Sequence, residues 1–72
     1  MKRHPHRGII LHGRPTSLRL EREFWEFLRE IAIERRMTVT ALIEAIDQVK
    51  SVKATLVSAI RVFVAMHYRG PD

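Results

Sequence analysis

Arg14-Pro15-Thr16-Ser17-Leu18-Arg19-Leu20 is the stretch whose reading decides the fold. From Thr16 onward polar and apolar residues alternate, so an extended backbone sets Leu18 and Leu20 on one face and Ser17 and Arg19 on the other. Pro15 suits the start of a strand, where a missing N–H is tolerated. The spacing therefore predicts one short, half-buried strand over residues 16–20. No other stretch alternates in this way, and a lone strand leaves backbone donors and acceptors unpaired along both edges. The expected partner is the same strand in a second copy of the chain.

On the N-terminal side, residues 1–14 carry Lys2, Arg3, Arg7 and Arg14, three of the four histidines, one proline, two glycines and no acidic residue. They read as a basic arm, flexible in isolation. Within it, the apolar triplet Ile9, Ile10, Leu11 between two glycines is able to form a short extended segment that packs on something.

On the C-terminal side the period changes to that of helices. Phe24, Phe27, Leu28 and Ile31, flanked by Trp25 and Ala32, fall on one stripe of an amphipathic helix over residues 22–36. Arg22, Glu23, Glu26, Arg29, Glu30 and Glu34 occupy its other face, with Arg22–Glu26 and Glu26–Arg29 spaced to pair. Thr38 is a good N-cap for a second helix with the stripe Val39, Leu42, Ile43, Ile46, although Ala41 stands where a capping box would have Glu or Gln. Residues 47–54 are polar and predict a break or frayed link, without the Pro or Gly that would make it certain. Thr55 then caps a third helix through Leu56, Ala59, Ile60, Phe63 and His67. Val57, Val62, Val64 and Met66 make that helix apolar over most of its circumference, which implies cover on several sides. Gly70 and Pro71 stop it. The organisation is a basic arm over residues 1–14, one domain over 15–69 and a tail over 70–72.

The totals point to self-association. A chain of 72 residues gains only a few kcal/mol from one hydrophobic core, and with no cysteine there is no disulfide to supplement it. An apolar content of 46% is enough to cover a second subunit as well as a core. Thirteen Lys and Arg against eight Asp and Glu give a net charge of +5, which makes polyanions the natural partners. No uncharged run approaches membrane-spanning length and the N-terminus lacks a signal-peptide core, so a soluble cytoplasmic protein without membrane contact is expected.

Three runs carry a family resemblance: Arg14-Pro15-Thr16-Ser17-Leu18-Arg19-Leu20-Glu21, Glu23-Phe24-Trp25-Glu26-Phe27-Leu28 and Thr38-Val39-Thr40-Ala41-Leu42-Ile43. Together they resemble the strand, first helix and second-helix start of the ribbon-helix-helix, or Arc and MetJ, superfamily. Leu56-Val57-Ser58-Ala59-Ile60-Arg61-Val62-Phe63-Val64 and His67-Tyr68-Arg69 are similar to a bacterial subfamily with an extra C-terminal helix. The resemblance covers roughly residues 14–69. It implies a mainly α fold with one short strand: an intertwined homodimer whose two strands pair as an intersubunit antiparallel β-ribbon, plus a third helix. Leu18, Leu20, Phe24, Trp25, Leu28, Ile31, Leu42, Ile43 and Ile46 would form the dimer core.

By the same resemblance the ribbon enters the major groove of double-stranded DNA. Pro15, Ser17 and Arg19 fall at the base-facing positions, with Thr16 near enough at the strand end to contribute. Arg19 suits guanine O6 and N7, and Ser17 can meet a donor or an acceptor. Pro15 offers no polar group, so Arg14 is a candidate to take over its place. The second-helix start, Thr38, Val39 and Thr40, would hold a phosphate, with Lys2, Arg3, Arg7 and Arg14 adding phosphate or minor-groove contacts.

Other chemistries find little in the sequence. His4 and His6 sit one residue apart but lack further ligands, Phe24, Trp25 and Phe27 have helical rather than sheet spacing, and no catalytic motif is present. No enzyme, metal or cofactor is expected. The leading function is a sequence-specific transcriptional regulator, a repressor, acting at the nucleoid as a dimer or paired dimers. Two other classes compete: an antitoxin-like or scaffold module whose residues 55–68 clasp a protein partner, and a nonspecific nucleoid or phage accessory protein relying on charge alone.

Overall fold

The computed structural model describes residues 6–70. They form β1 (His6–Leu11), β2 (Arg14–Arg19), α1 (Arg22–Glu34), α2 (Val39–Val49) and α3 (Leu56–Arg69). The strand read from the alternation is present, but it is not solitary. β1 pairs with it antiparallel in the register His6–Arg19, Arg7–Leu18, Gly8–Ser17, Ile9–Thr16, Ile10–Pro15 and Leu11–Arg14. This corrects both the one-strand fold class and the reading of residues 6–14 as an arm. The cause lies in the two-residue turn. His12 and Gly13 both have positive φ, 51° and 79°, as in the type I′ turns whose twist matches a hairpin. Lys2, Arg3 and His4 lie outside the described residues.

The turn is fastened to α2. The His12 backbone N–H donates to Glu44 Oε2 at 2.8 Å, and its ring Nε2 lies 3.0 Å from Asp47 Oδ2. Pro15 fixes the hydrogen-bond phase of the hairpin. With no N–H it cannot exchange paired bonds with Ile10, so Ile10–Pro15 is a non-bonded pair, and the alternation makes Gly8–Ser17 and His6–Arg19 non-bonded too. The amides of Ser17 and Arg19 therefore point away from β1, toward the outer edge of β2.

Leu11, Leu18 and Leu20 project from the hairpin onto the helices, and with Trp25, Leu28, Ile31, Ala32, Leu42, Ile43, Ile46, Ile60 and Val64 they make one buried core. Eight of the nine residues expected in a dimer core are thus buried within the single chain, and Phe24 packs against its margin. One chain leaves a different apolar set uncovered: Ile10, Ile33, Val49, Val52, Val62 and Met66. Several of these belong to α2 and α3 or the link between them. A groove of about 620 Å³ runs along the same two helices, with Leu42, Val49, Val62, Phe63 and Met66 in its walls.

The helix ends are locally determined. Thr38 Oγ1 accepts from the Ala41 N–H at 3.0 Å and Thr55 Oγ1 from that of Ser58 at 3.1 Å. Helix α1 closes with Arg36 at φ 57°, its N–H bonded to Ile33 O and that of Met37 to Ala32 O, a Schellman ending built without glycine. The expected break between α2 and α3 is real. Lys50 turns extended, and its Nζ donates to the carbonyls of Ala54 at 3.1 Å and Ser51 at 3.4 Å.

Helix α3 packs on both α2 and α1 of its own chain, which supplies part of the cover its apolar circumference implied. The acidic side chains of α1 and of Glu21 at its N-cap receive it: Arg61 Nη2 donates to Glu21 Oε1 at 2.7 Å, Tyr68 Oη donates to Glu30 Oε1 at 2.6 Å, and His67 Nε2 lies 3.5 Å from Glu34 Oε1. The Arg22–Glu26 and Glu26–Arg29 pairs expected along α1 do not close among the described residues.

Tyr68 reports on this docking. Its hydrogen bond to Glu30, with desolvation and the nearby Glu30 and Glu34 charges, raises its pKa from 10.0 to about 12. The folded state then holds the phenol proton where the unfolded chain has lost it, so stability falls as pH rises from 10.0 toward about 12. As the chain has one tyrosine, phenolate absorbance follows this group alone. We expect a midpoint near 12, moved down toward 10.0 by Glu30→Gln. An unmoved midpoint in that variant would remove Glu30 as the cause.

Candidate nucleic-acid interface

The hairpin has two faces of different character. Arg7, Ile9 and Leu11 with Arg14, Thr16 and Leu18 lie on the side of the helices; His6, Gly8 and Ile10 with Pro15, Ser17 and Arg19 lie on the other, and all six of these are exposed. Cross-strand pairing arranges the outer face in three tiers. Ile10 opposes Pro15 beside the turn, Gly8 opposes Ser17 in the middle, and His6 opposes Arg19 at the open end.

Pro15, Ser17 and Arg19 thus share one accessible face, as the alternation implied. Thr16 and Arg14 do not join it. Both sit on the helix-facing side, and Thr16 Oγ1 is spent on the Arg14 carbonyl at 3.0 Å. Arg14 therefore cannot stand in for Pro15, whose neighbour on the face is Ile10. The contribution of β1 was not legible without the register. Gly8 leaves bare backbone in the middle tier, where an added Cβ would meet nothing within 4 Å. Ser17 Oγ lies 3.0 Å from His6 Nδ1.

A second feature lies where β1, α1 and the start of α2 meet. Arg7, Arg22, Trp25, Glu26, Arg29 and Val39 line a pocket of about 250 Å³. The Arg7 guanidinium stacks 4.5 Å from the centre of the Trp25 ring, and the Trp25 indole N–H is buried without a hydrogen-bond partner. Arg22 and Arg29 have no ion pair within 4.0 Å among the described residues, although Glu26 shares the pocket. Val39 and Thr40 open α2, and first-turn N–H groups have no acceptor within their helix. Guanidinium forks beside a helix N-terminus suit an oxyanion such as a phosphate. Of the residues expected at phosphates, Arg7 and Val39 meet here, Thr38 and Thr40 adjoin in sequence, and Arg14 is elsewhere. Arg22 and Arg29 were missed because on α1 they read as ordinary surface charges.

No group of three or more His, Cys, Asp or Glu able to hold a metal occurs among the described residues, and no helix among them is long and apolar enough to cross a membrane.

A two-stranded antiparallel ribbon carried on helices, with an exposed outer face and an arginine-lined pocket at a helix start, has the layout of a β-ribbon module of the nucleic-acid-binding class. The chain belongs to the ribbon-helix-helix family: the model of the ribbon-helix-helix domain matches residues 5–68. Domains of this family in general bind DNA, dimerise and are not enzymes. Neither a curated protein nor a solved structure matches the chain.

Proposed function

We propose that this chain is a sequence-specific DNA-binding transcriptional regulator, a repressor, that works as a homodimer with the outer face of its hairpin in the major groove. The observation that carries the reading is the exposed face Ile10–Pro15, Gly8–Ser17, His6–Arg19, graded from apolar to cationic along a ribbon. In the dimer the two central β2 strands, about 4.8 Å apart, fit a groove about 12 Å wide. Arg19 has the fork that matches guanine O6 and N7, and Ile10 with Pro15 offers apolar surface for a thymine methyl. Arg7, Arg22 and Arg29 beside the α2 start supply a phosphate anchor that sets register without reading sequence.

Two features support the homodimer. The outer edge of β2 presents the Ser17 and Arg19 amides, so a partner's β2 can pair there and join two hairpins into a four-stranded sheet. The uncovered Val49, Val62 and Met66 supply apolar surface beside the groove of α2 and α3. Strand-edge pairing and apolar burial are the two routes by which so small a domain gains stability.

The test is a binding titration of site-selected against random duplex DNA at two salt concentrations, with sedimentation of the free protein. Preference for the selected duplex of about 10³-fold or more supports the reading. Equal, steeply salt-dependent affinity for every sequence would replace it with binding by charge alone. Absence of binding at moderate salt would leave a protein-interaction module, and a folded monomer at micromolar concentration would remove the dimer.

A further inference from the structure

His6 comes from outside the strand that carries Ser17, yet it is the side chain Ser17 touches. The two residues are not opposite one another: His6 faces Arg19 and Gly8 faces Ser17. The imidazole leans along the face, and Ser17 Oγ lies 3.0 Å from His6 Nδ1. Both belong to non-bonded pairs, the kind whose Cα atoms approach to about 4.5 Å and whose side chains crowd most closely.

Through that contact the His6 tautomer decides what Ser17 can offer. A serine hydroxyl has one hydrogen to donate and two lone pairs to accept with. On its own it rotates and serves either kind of base atom. Beside a neutral imidazole with its hydrogen on Nε2, the hydroxyl gives its one hydrogen to Nδ1, and only lone pairs face outward. A lone-pair surface accepts from the exocyclic amino groups of adenine N6 and cytosine N4. It has nothing to give guanine O6 and N7 or thymine O4.

We propose that His6 is a positioning residue for sequence recognition: by taking the Ser17 hydrogen it turns an adaptable hydroxyl into a fixed acceptor that selects an amino-bearing base. The inference rests on the reading of the outer face as the DNA-facing surface. It adds β1 to the determinants of specificity. Arg19, directly across from His6, acts on a separate base and does not depend on the contact.

Binding-site selection from a randomised duplex pool tests this with the wild type, Arg19→Ala, Ser17→Ala, His6→Ala, His6→Asn and His6→Gln, each checked for folding by circular dichroism. Ser17→Ala identifies the base position that Ser17 reads. His6→Ala is expected to relax preference at that same position by about five- to tenfold, the value of one hydrogen bond, and to leave the Arg19 position intact. Asparagine places an amide group near the position of Nδ1 and restores the preference; glutamine, reaching toward the position of Nε2, does not. An unchanged preference at the Ser17 position in His6→Ala overturns the inference, as does a uniform loss across all positions. If the wild type enriches a motif that Arg19→Ala degrades while every His6 variant keeps it whole, this inference fails and the DNA reading stands. If the wild type enriches no motif, both fall.

Discussion

Arg19→Ala is expected to weaken binding to the selected site by about 1–3 kcal/mol, roughly 5- to 150-fold, and to broaden the base tolerated at one position of each half-site. Arg19 ends β2 on the outer face, exposed, with no ion pair among the described residues, so its guanidinium is free to meet a base. Truncating an exposed side chain with no hydrogen bond or ion pair among the described residues should leave folding within about 0.5 kcal/mol of wild type. Loss of affinity can then be assigned to recognition. Its distribution over sequences is decisive, because a phosphate contact loses affinity on all duplexes alike and flattens the salt dependence. Titrations against the selected duplex and its single-base variants separate the two. Equal losses on every variant would move Arg19 from the bases to the backbone.

The half of the outer face that alternation encodes was legible in the sequence, and the half that pairing encodes was not. Ser17 and Arg19 follow from a period of two along β2. His6, Gly8 and Ile10 belong to a strand whose sequence, Gly8-Ile9-Ile10-Leu11, has three consecutive apolar residues and no alternation, because Ile10 is exposed beside Pro15. The hairpin depends on His12 adopting a left-handed conformation ahead of Gly13, a place more often held by Asn or Asp. The helices were legible because caps and stripes are local: Thr38 and Thr55 cap as their positions imply. The docking of α3 was not, since Glu21–Arg61 and Glu30–Tyr68 join residues 40 and 38 apart with no local pattern between them. Arg22 and Arg29 became candidate anion ligands only once β1 brought Arg7 and the start of α2 brought Val39 to the same pocket.

Ile43→Ala has the largest expected effect on stability, about 2–5 kcal/mol. Ile43 is fully buried on α2, which contacts α1, α3 and β1, so the cavity left by its side chain lies where neighbouring elements converge. A chain of this length has little margin: each kcal/mol lowers Tm by about 4–8 °C in a domain of this size, so the loss should be tens of degrees or outright unfolding. Val52→Ala makes the internal comparison. That side chain is 96% exposed, and its truncation should change stability by less than about 0.5 kcal/mol unless a partner covers it. Thermal melts must hold protomer concentration fixed, because dimer association stabilises the folded state by mass action. Saturating DNA should raise the Ile43→Ala melting point for the same reason, since truncation leaves the outer face and the arginine pocket chemically intact. A variant that melts with the wild type would place the core elsewhere. One that stays folded yet loses DNA affinity would make Ile43 part of the interface, contrary to its position beneath it.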